Sequence, residues 1–405
     1  MVKSSSYVRN GKWICLLSAL LTGGCATRTD TMKEDLNPRL AMPPTEQTET
    51  KPSSLERAST LSSKASPNDV KLSAQQTIHE PVKGIYVSAW SAVGSKFEQL
   101  IDLVDRTDLN AMVIDVKNDS GQVTYPSKVP MVNEIGANSH VIIHDLQAKL
   151  QRLKQKQIYA IARLVVFKDP YLSKKKSQYA MKTNAGAVWK DKKGVAWVDP
   201  FQKEVWAYNL QIANEVAQMG FDEVQFDYVR FPENVKSVDS EVKFSNPAGL
   251  SKAQNIEAFL QQARTQLSSK AKLSADVFGL TTSAERDVGI GQDWNLIAKQ
   301  VHVISPMLYP SHYTNGMYGV KYPDLQPYAI VHQAIHDANG KNQLLKQANV
   351  PVAEIRPWYQ DFTATWVKPH KTYGVIDVKE QIKAAREQGV EQFLLWNPSS
   401  NYSYR

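Results

Sequence analysis

The chain of 405 residues is poor in cysteine, with two in all, Cys15 and Cys25, both near the N-terminus. It has no apolar run long enough to cross a bilayer as a permanent helix. The run "WICLLSALLT" covers ten residues, where about 20 are needed. There is no HExxH pair. His140 and His144 stand four apart, but they fall at the start of a predicted helix on a face expected to be solvated, so no metal is expected. No G-x-S-x-G elbow is present, which argues against a serine hydrolase. No Gly-rich phosphate fingerprint follows the first predicted strand, which argues against a dinucleotide fold and leaves no cofactor to expect. Lys and Arg total 48 against 40 Asp and Glu, a formal charge of +8, yet no block is dense enough to suggest nucleic acid. Mild basicity reads as ordinary solubility. Attraction to an acidic glycan or a membrane surface is the sharper alternative.

The N-terminus carries a pattern of its own. "MVKSSSYVRNGK" is basic, a short apolar stretch follows, and then "LTGGC". This order is secretory, and the site resembles a bacterial lipoprotein signal with Thr22 where Leu is preferred. The resemblance implies a signal peptide over 1–24, cleavage before Cys25 and lipid on its sulfur. Removing 1–24 also removes Lys3, Arg9 and Lys12, leaving +5. Cys15 would leave with the signal, so the mature chain would have no disulfide and no thiol nucleophile. The expected location is the cell envelope, with the chain lipid-anchored and facing the periplasm or exterior. A plain secretory signal or an uncleaved anchor is the alternative.

Residues 25–80 are rich in Ser, Thr, Pro, Lys, Glu and Gln and show no sustained apolar period. They read as a disordered, flexible tether. From Pro81 to Arg405 the texture changes. Eight short runs rich in β-branched and aromatic residues are predicted strands, at 83–90, 111–118, 159–167, 223–231, 273–279, 302–310, 352–362 and 392–398. Amphipathic segments lie between them. In "KEVWAYNLQIANEVAQMG", Val205, Leu210, Ile212, Ala213, Val216 and Met219 form a stripe near the 3.6 period. Alternating strands and helices predict parallel pairing and a (β/α)8 TIM barrel. Too few residues follow the last strand for an eighth helix. Either the tether covers that side or one strand is miscounted, and a doubly wound open sheet is the alternative fold.

In such a barrel the active site lies at the C-terminal ends of the strands. Polar residues gather there: Asp115, Lys117, Asn118 and Asp119 after strand two, and Asp227, Tyr228 and Arg230 after strand four. Asp276 is on strand five, with Glu285 in the loop beyond it. Tyr309 and His312 follow strand six, Arg356, Trp358 and Asp361 lie on strand seven, and Trp396 and Asn397 end strand eight. Charge at the end of an apolar strand costs desolvation unless it is paired. Paired carboxylates flanked by aromatics suit glycosidic cleavage, in which one acid stays ionised and the other donates a proton. Asp227 is the first choice, with Arg230 folding back to hold it ionised. Trp189 and Trp197, in the loop after strand three, would add sugar-stacking surface.

The stretches "KGIYVSAW", "IDVKNDSG", "GFDEVQFDYVRFP", "SADVFGLTTSAERDVGIGQDW", "ISPMLYPSHY" and "EIRPWYQDF" together resemble a bacterial family of "putative glycosyl hydrolases", long catalogued as a domain of unknown function. The likeness covers 81–400. It implies a TIM barrel of the α-amylase-like clan with the nucleophile position at Asp227. The acid stays open between Asp276 and Glu285, because those enzymes usually carry Glu on strand five. The resemblance implies no particular sugar.

Two readings of different class follow. In the first, the chain is a lipid-anchored, monomeric glycoside hydrolase acting on an envelope or extracellular polysaccharide. Asp115, Lys117, Arg230, Tyr309, His312, Arg356, Trp358, Trp396 and Asn397 would bind the substrate. In the second, it is a non-catalytic glycan-binding envelope lipoprotein that keeps the barrel and the groove.

Overall fold

The computed structural model describes residues 81–233, 235–267 and 269–404. The expected signal, the lipidated Cys25 and the tether lie outside the described residues. Eight parallel strands close into a barrel: β1 (Lys83–Val87), β2 (Ala111–Lys117), β3 (Tyr159–Val165), β4 (Glu223–Asp227), β5 (Lys272–Phe278), β6 (Val303–Leu308), β7 in two pieces (Glu354–Ile355 and Trp358–Gln360) and β8 (Phe393–Trp396). Each strand pairs with its sequence neighbours, and β8 pairs with β1, Leu394 opposite Gly84. The predicted TIM barrel is the observed fold. β7 breaks at Pro357, which has no N–H to give the ladder, but its carbonyl still accepts from Leu394 N.

One main helix follows each of the first seven strands, besides shorter helices in the loops: α1 (Gly94–Asp105), α2 (Leu146–Gln155), α3 (Lys203–Met219), α4 (Lys252–Leu267), α5 (Trp294–Ala298), α6 (Pro327–Gln347) and α7 (Val375–Arg386). The predicted stripe of α3 is its buried face, with Val205, Leu210, Ile212, Ala213 and Val216 all buried. The helix stops at Gly220, whose φ of 107° is open to glycine at little cost.

No helix follows β8 among the described residues; the C-terminal tail takes its place. Tyr404 packs on Phe393 with ring centroids 6.0 Å apart, and its hydroxyl donates to Asp108. Tyr402 donates to the Tyr86 carbonyl.

Successive strand residues face opposite sides, and this divides the core in two. The barrel interior holds Tyr86, Val113, Ile161, Trp358 and Leu394. A larger shell lies between strands and helices. There Phe259 of α4 meets Phe167, Trp206 and Phe226 at centroid distances of 5.3, 5.5 and 5.3 Å. Emptying such a site costs roughly 3–5 kcal/mol. Phe226 precedes Asp227, so this packing seats the strand end that carries the acid.

Candidate active site

Four interior-facing residues at the mouth form the centre of the site. Arg163 of β3 is 2% exposed, although it sits inside the apolar run "YAIARLVVF". Its Nε and Nη2 donate to Asp227 Oδ2 at 2.9 and 2.5 Å. Its Nη1 donates to Asp115 Oδ1 at 2.7 Å, and Nη2 also reaches Asp119 Oδ1 at 3.0 Å. Tyr86 donates to the other Asp115 oxygen at 2.6 Å. The guanidinium lies over the rings of Tyr86 and Trp396, 5.6 and 5.2 Å from their centroids. Those two rings stack 4.1 Å apart. A planar fork of donors on an aromatic stack is a geometry that Arg supplies and Lys does not.

Asp227 ends β4. Its second oxygen, Oδ1, accepts from Tyr228 N at 2.6 Å. Tyr228 holds a φ of 50°, a left-handed conformation that costs a residue with a side chain about 1 kcal/mol or more. That turn brings the Tyr228 N–H back onto the carboxylate.

Asp276 of β5 is 2% exposed. Trp358 Nε1 donates to its Oδ1 at 2.7 Å, and Gln292 donates to its backbone carbonyl at 3.0 Å. Desolvation, then the charge of Asp227, pushes its carboxyl well above the usual range and favours the protonated form. The two acids are thus treated differently: Asp227 meets an arginine and a backbone amide, whereas Asp276 meets apolar surroundings and an indole. Burial also raises Asp115, with Arg163 opposing. Asp119, half open to solvent, is held down to about 2 because Arg163 and Lys168 together outweigh its desolvation.

The remaining residues expected at the site divide. Tyr309 stands near both carboxyls, and burial, then the charges of Asp276 and Asp227, keep its phenol protonated. His312 packs against Tyr309 and Phe362 with centroids 5.3 and 6.3 Å apart. Desolvation lowers its imidazole to about 4, with Glu233 opposing. Trp396 stays half-buried at the rim. Arg230 does not fold back onto Asp227. Its Nη2 donates to Glu233 at 3.1 Å, and its guanidinium lies 4.5–5.2 Å from the ring centroids of Phe278, Tyr228 and Trp197. The cation on Asp227 is Arg163.

Several expected site residues lie elsewhere. Lys117 is turned outward by a register shift between Asp115 and Lys117, which pairs it with Leu164. Its ammonium is fully buried on Asp169 at 2.7 Å and Asn209 at 3.0 Å. Arg356 faces the opposite end of the barrel and grips both oxygens of Glu223 at 2.9 and 3.0 Å. Trp358 is 1% exposed, so it offers no face to a sugar. Trp189 and Trp197 are buried too, their indoles donating to Glu241 and Asp191. Asn397 Nδ2 donates to the Asp361 carbonyl at 2.5 Å and its Oδ1 accepts from the amides of Ser399 and Asn401, which shapes the tail. Glu285 is exposed, and among the described residues it has no hydrogen bond or ion pair. Among the described residues no group of three or more His, Cys, Asp or Glu is placed to hold a metal.

Arg163 was the principal residue missed. Its signal was a charge two and four residues from inward-facing Ile161 and Tyr159, in a run otherwise apolar.

The fold and site define a TIM barrel with an acid-rich mouth. The chain belongs to the family described as "Putative glycosyl hydrolase domain", which matches residues 84–402. No curated protein matches it. Among solved structures, it is similar to a hypothetical protein from Ruminiclostridium thermocellum ATCC 27405, with 40% identity over 48% of this chain and 97% of that one and a TM-score of 0.44. It is also similar to the glycoside hydrolase domain of PgaB (BpsB) from Bordetella bronchiseptica, with 13% identity over 79% and 95% of the chains and a TM-score of 0.55. A third is beta-galactosidase from the psychrophilic Marinomonas ef1, with 12% identity over 78% and 54% and a TM-score of 0.51. At 12–13% identity the likeness is one of fold.

Proposed function

We propose that the chain is a glycoside hydrolase that cleaves an envelope or extracellular polysaccharide, with Asp227 as nucleophile or base and Asp276 as general acid. The observation that carries this reading is the unequal treatment of the two carboxyls at the ends of adjacent strands. Asp227 is ion-paired with Arg163, while burial favours the acid form of Asp276. Glycosidic cleavage requires this division.

In the proposed reaction, Asp276 passes its proton to the leaving glycosidic oxygen. The Trp358 indole N–H stabilises the carboxylate that results. Asp227 attacks the anomeric carbon or takes a proton from the attacking water, through a lone pair of Oδ1 not used by Tyr228 N. Arg163 fixes the other oxygen and so sets the approach angle. We assign the acid to Asp276 rather than Glu285, because Asp276 is buried at the mouth beside Asp227, whereas Glu285 is exposed in the loop beyond. Tyr309, His312 and Trp396 would meet the sugar. Trp90, 74% exposed after β1, offers a further stacking face.

The same proposal places the chain in the cell envelope through lipid on Cys25. Cys25→Ser should release it from the membrane fraction, and persistence there would overturn that part.

One observation favours the non-catalytic glycan-binding lipoprotein: the oxygens of Asp227 already accept three hydrogen bonds. The full chain and its Asp227→Asn variant, incubated with bacterial polysaccharides and peptidoglycan, separate the two readings. New reducing ends from wild type alone support the hydrolase. Glycan retention by both proteins without release supports the binding protein.

A further inference from the structure

The loop between β3 and α3 is a small folded unit, and it gathers most of the net charge. Residues 168–193 contain eight lysines and two aspartates, a net +6 in a chain of net +8. Antiparallel bridges join Ala180 to Val198, Lys182 to Val188 and Lys190 to Ala196. A further pair sets Lys182–Thr183 against Val242–Lys243. The inner face holds Met181, Trp189 and Trp197, all buried. Alternation then sends Lys182 and Lys190 outward.

Two features set this face apart from an ordinary solvated one. Lys182 stands directly opposite Lys243, and like charges in that relation destabilise a sheet. Moreover, among the described residues none of Lys182, Lys190, Lys192, Lys193, Lys236 and Lys243 has an acid partner, whereas Lys168 and Lys176 of the same segment pair with Asp119 and Glu134. The unit is also continuous with the mouth. Trp197 meets Tyr228, with ring centroids 5.8 Å apart, and Arg230 lies 5.2 Å from the Trp197 ring.

We propose that this lysine-bearing face binds an acidic polysaccharide, a polymer with uronate-type carboxylates, whose neighbouring residues enter the barrel mouth. The inference rests on the reading that the mouth takes a polysaccharide, and it adds the chemical class. Ammonium groups on a face whose inner side meets the mouth raise the local concentration of a polyanion and hold the polymer near the acids. Continuity with Tyr228 and Arg230 favours a strand running to the mouth over a flat anionic membrane.

The test uses the full chain and the variant Lys182→Gln/Lys190→Gln/Lys192→Gln/Lys193→Gln, with circular dichroism to verify folding. Binding is measured to polygalacturonate, to neutral dextran and to phosphatidylglycerol vesicles at two salt concentrations. The expected result is wild-type binding to polygalacturonate that salt weakens, and binding by the variant weaker by roughly tenfold with a shallower salt dependence. Failure of wild type to bind polygalacturonate, equal binding by the variant, or lysine-dependent binding to vesicles alone would overturn it. Binding is read without turnover, so loss of the hydrolase reading through unchanged turnover in Asp227→Asn is separable from loss of this one.

Discussion

A buried arginine sits at each end of the barrel, and the two are used in opposite ways. At the floor, Arg356 meets one carboxylate, Glu223, and both oxygens of that acid are taken. Tyr159 adds a hydrogen bond at 3.2 Å and Gln392 completes the arginine at 3.1 Å. The charges balance, and both groups are buried. At the mouth, Arg163 meets three acids, Asp115, Asp119 and Asp227, while Asp276 stands without a cation. Even with Lys168 on Asp119, two cations face four carboxyls, so the acids do not share one environment. A matched pair holds a wall together; an excess of acid over cations sets up proton transfer.

Breaking each arginine should therefore have different consequences. Arg356→Met leaves Glu223 buried and unpaired, a loss of about 3–5 kcal/mol that urea unfolding would register. Once the protein is folded, its turnover should match wild type. Arg163→Lys keeps the charge and loses the fork. Turnover should fall by about a hundredfold, the scale of a positioning contact, with a smaller loss of stability than at the floor. Equal stability losses at the two ends would erase the distinction.

A third test concerns pH. Asp361, at the end of β7, is pushed up to about 6 by desolvation, against hydrogen bonds from the tail. The folded state holds this proton more tightly than the unfolded chain. Its contribution is thus most favourable below about pH 4 and is lost as pH rises to about 6, a change on the order of 2–3 kcal/mol. Asp361→Asn should remove that slope from a stability–pH profile. The smallest effect is expected from Trp358→Phe. Its indole N–H lowers Asp276 against desolvation, so its loss should move the alkaline limb of the pH–rate profile upward.

How much of this was legible in the sequence follows from what each residue's position depends on. The eight strands were legible because parallel strands buried on both faces read as continuous apolar runs. Asp227 and Asp276 could be singled out because a charge in such a run is conspicuous. Arg163 is equally conspicuous, yet it lies before the strand end where attention falls. Lys117 was misplaced because one extra residue in β2 reverses which face it takes, and a bulge leaves no mark in composition. Arg356 was misplaced because an eleven-residue reading of β7 hid which end it occupied. The tail in place of an eighth helix depends on Tyr402 and Tyr404 meeting partners some 300 residues away in sequence.

The central claim is that burial, then the neighbouring charge of Asp227, holds the proton on Asp276 well above the usual carboxylate range. It can be tested without knowing the substrate. Carboxyl titration by NMR on the full chain with carbon-13-labelled aspartate, assigned by Asp276→Asn and Asp227→Asn, reads both groups directly. The account predicts that Asp276 remains protonated at pH 7 and titrates at lower pH once Asp227→Asn removes the neighbouring charge. Two carboxyls both ionised at pH 7, or an Asp276 indifferent to Asp227→Asn, would contradict it.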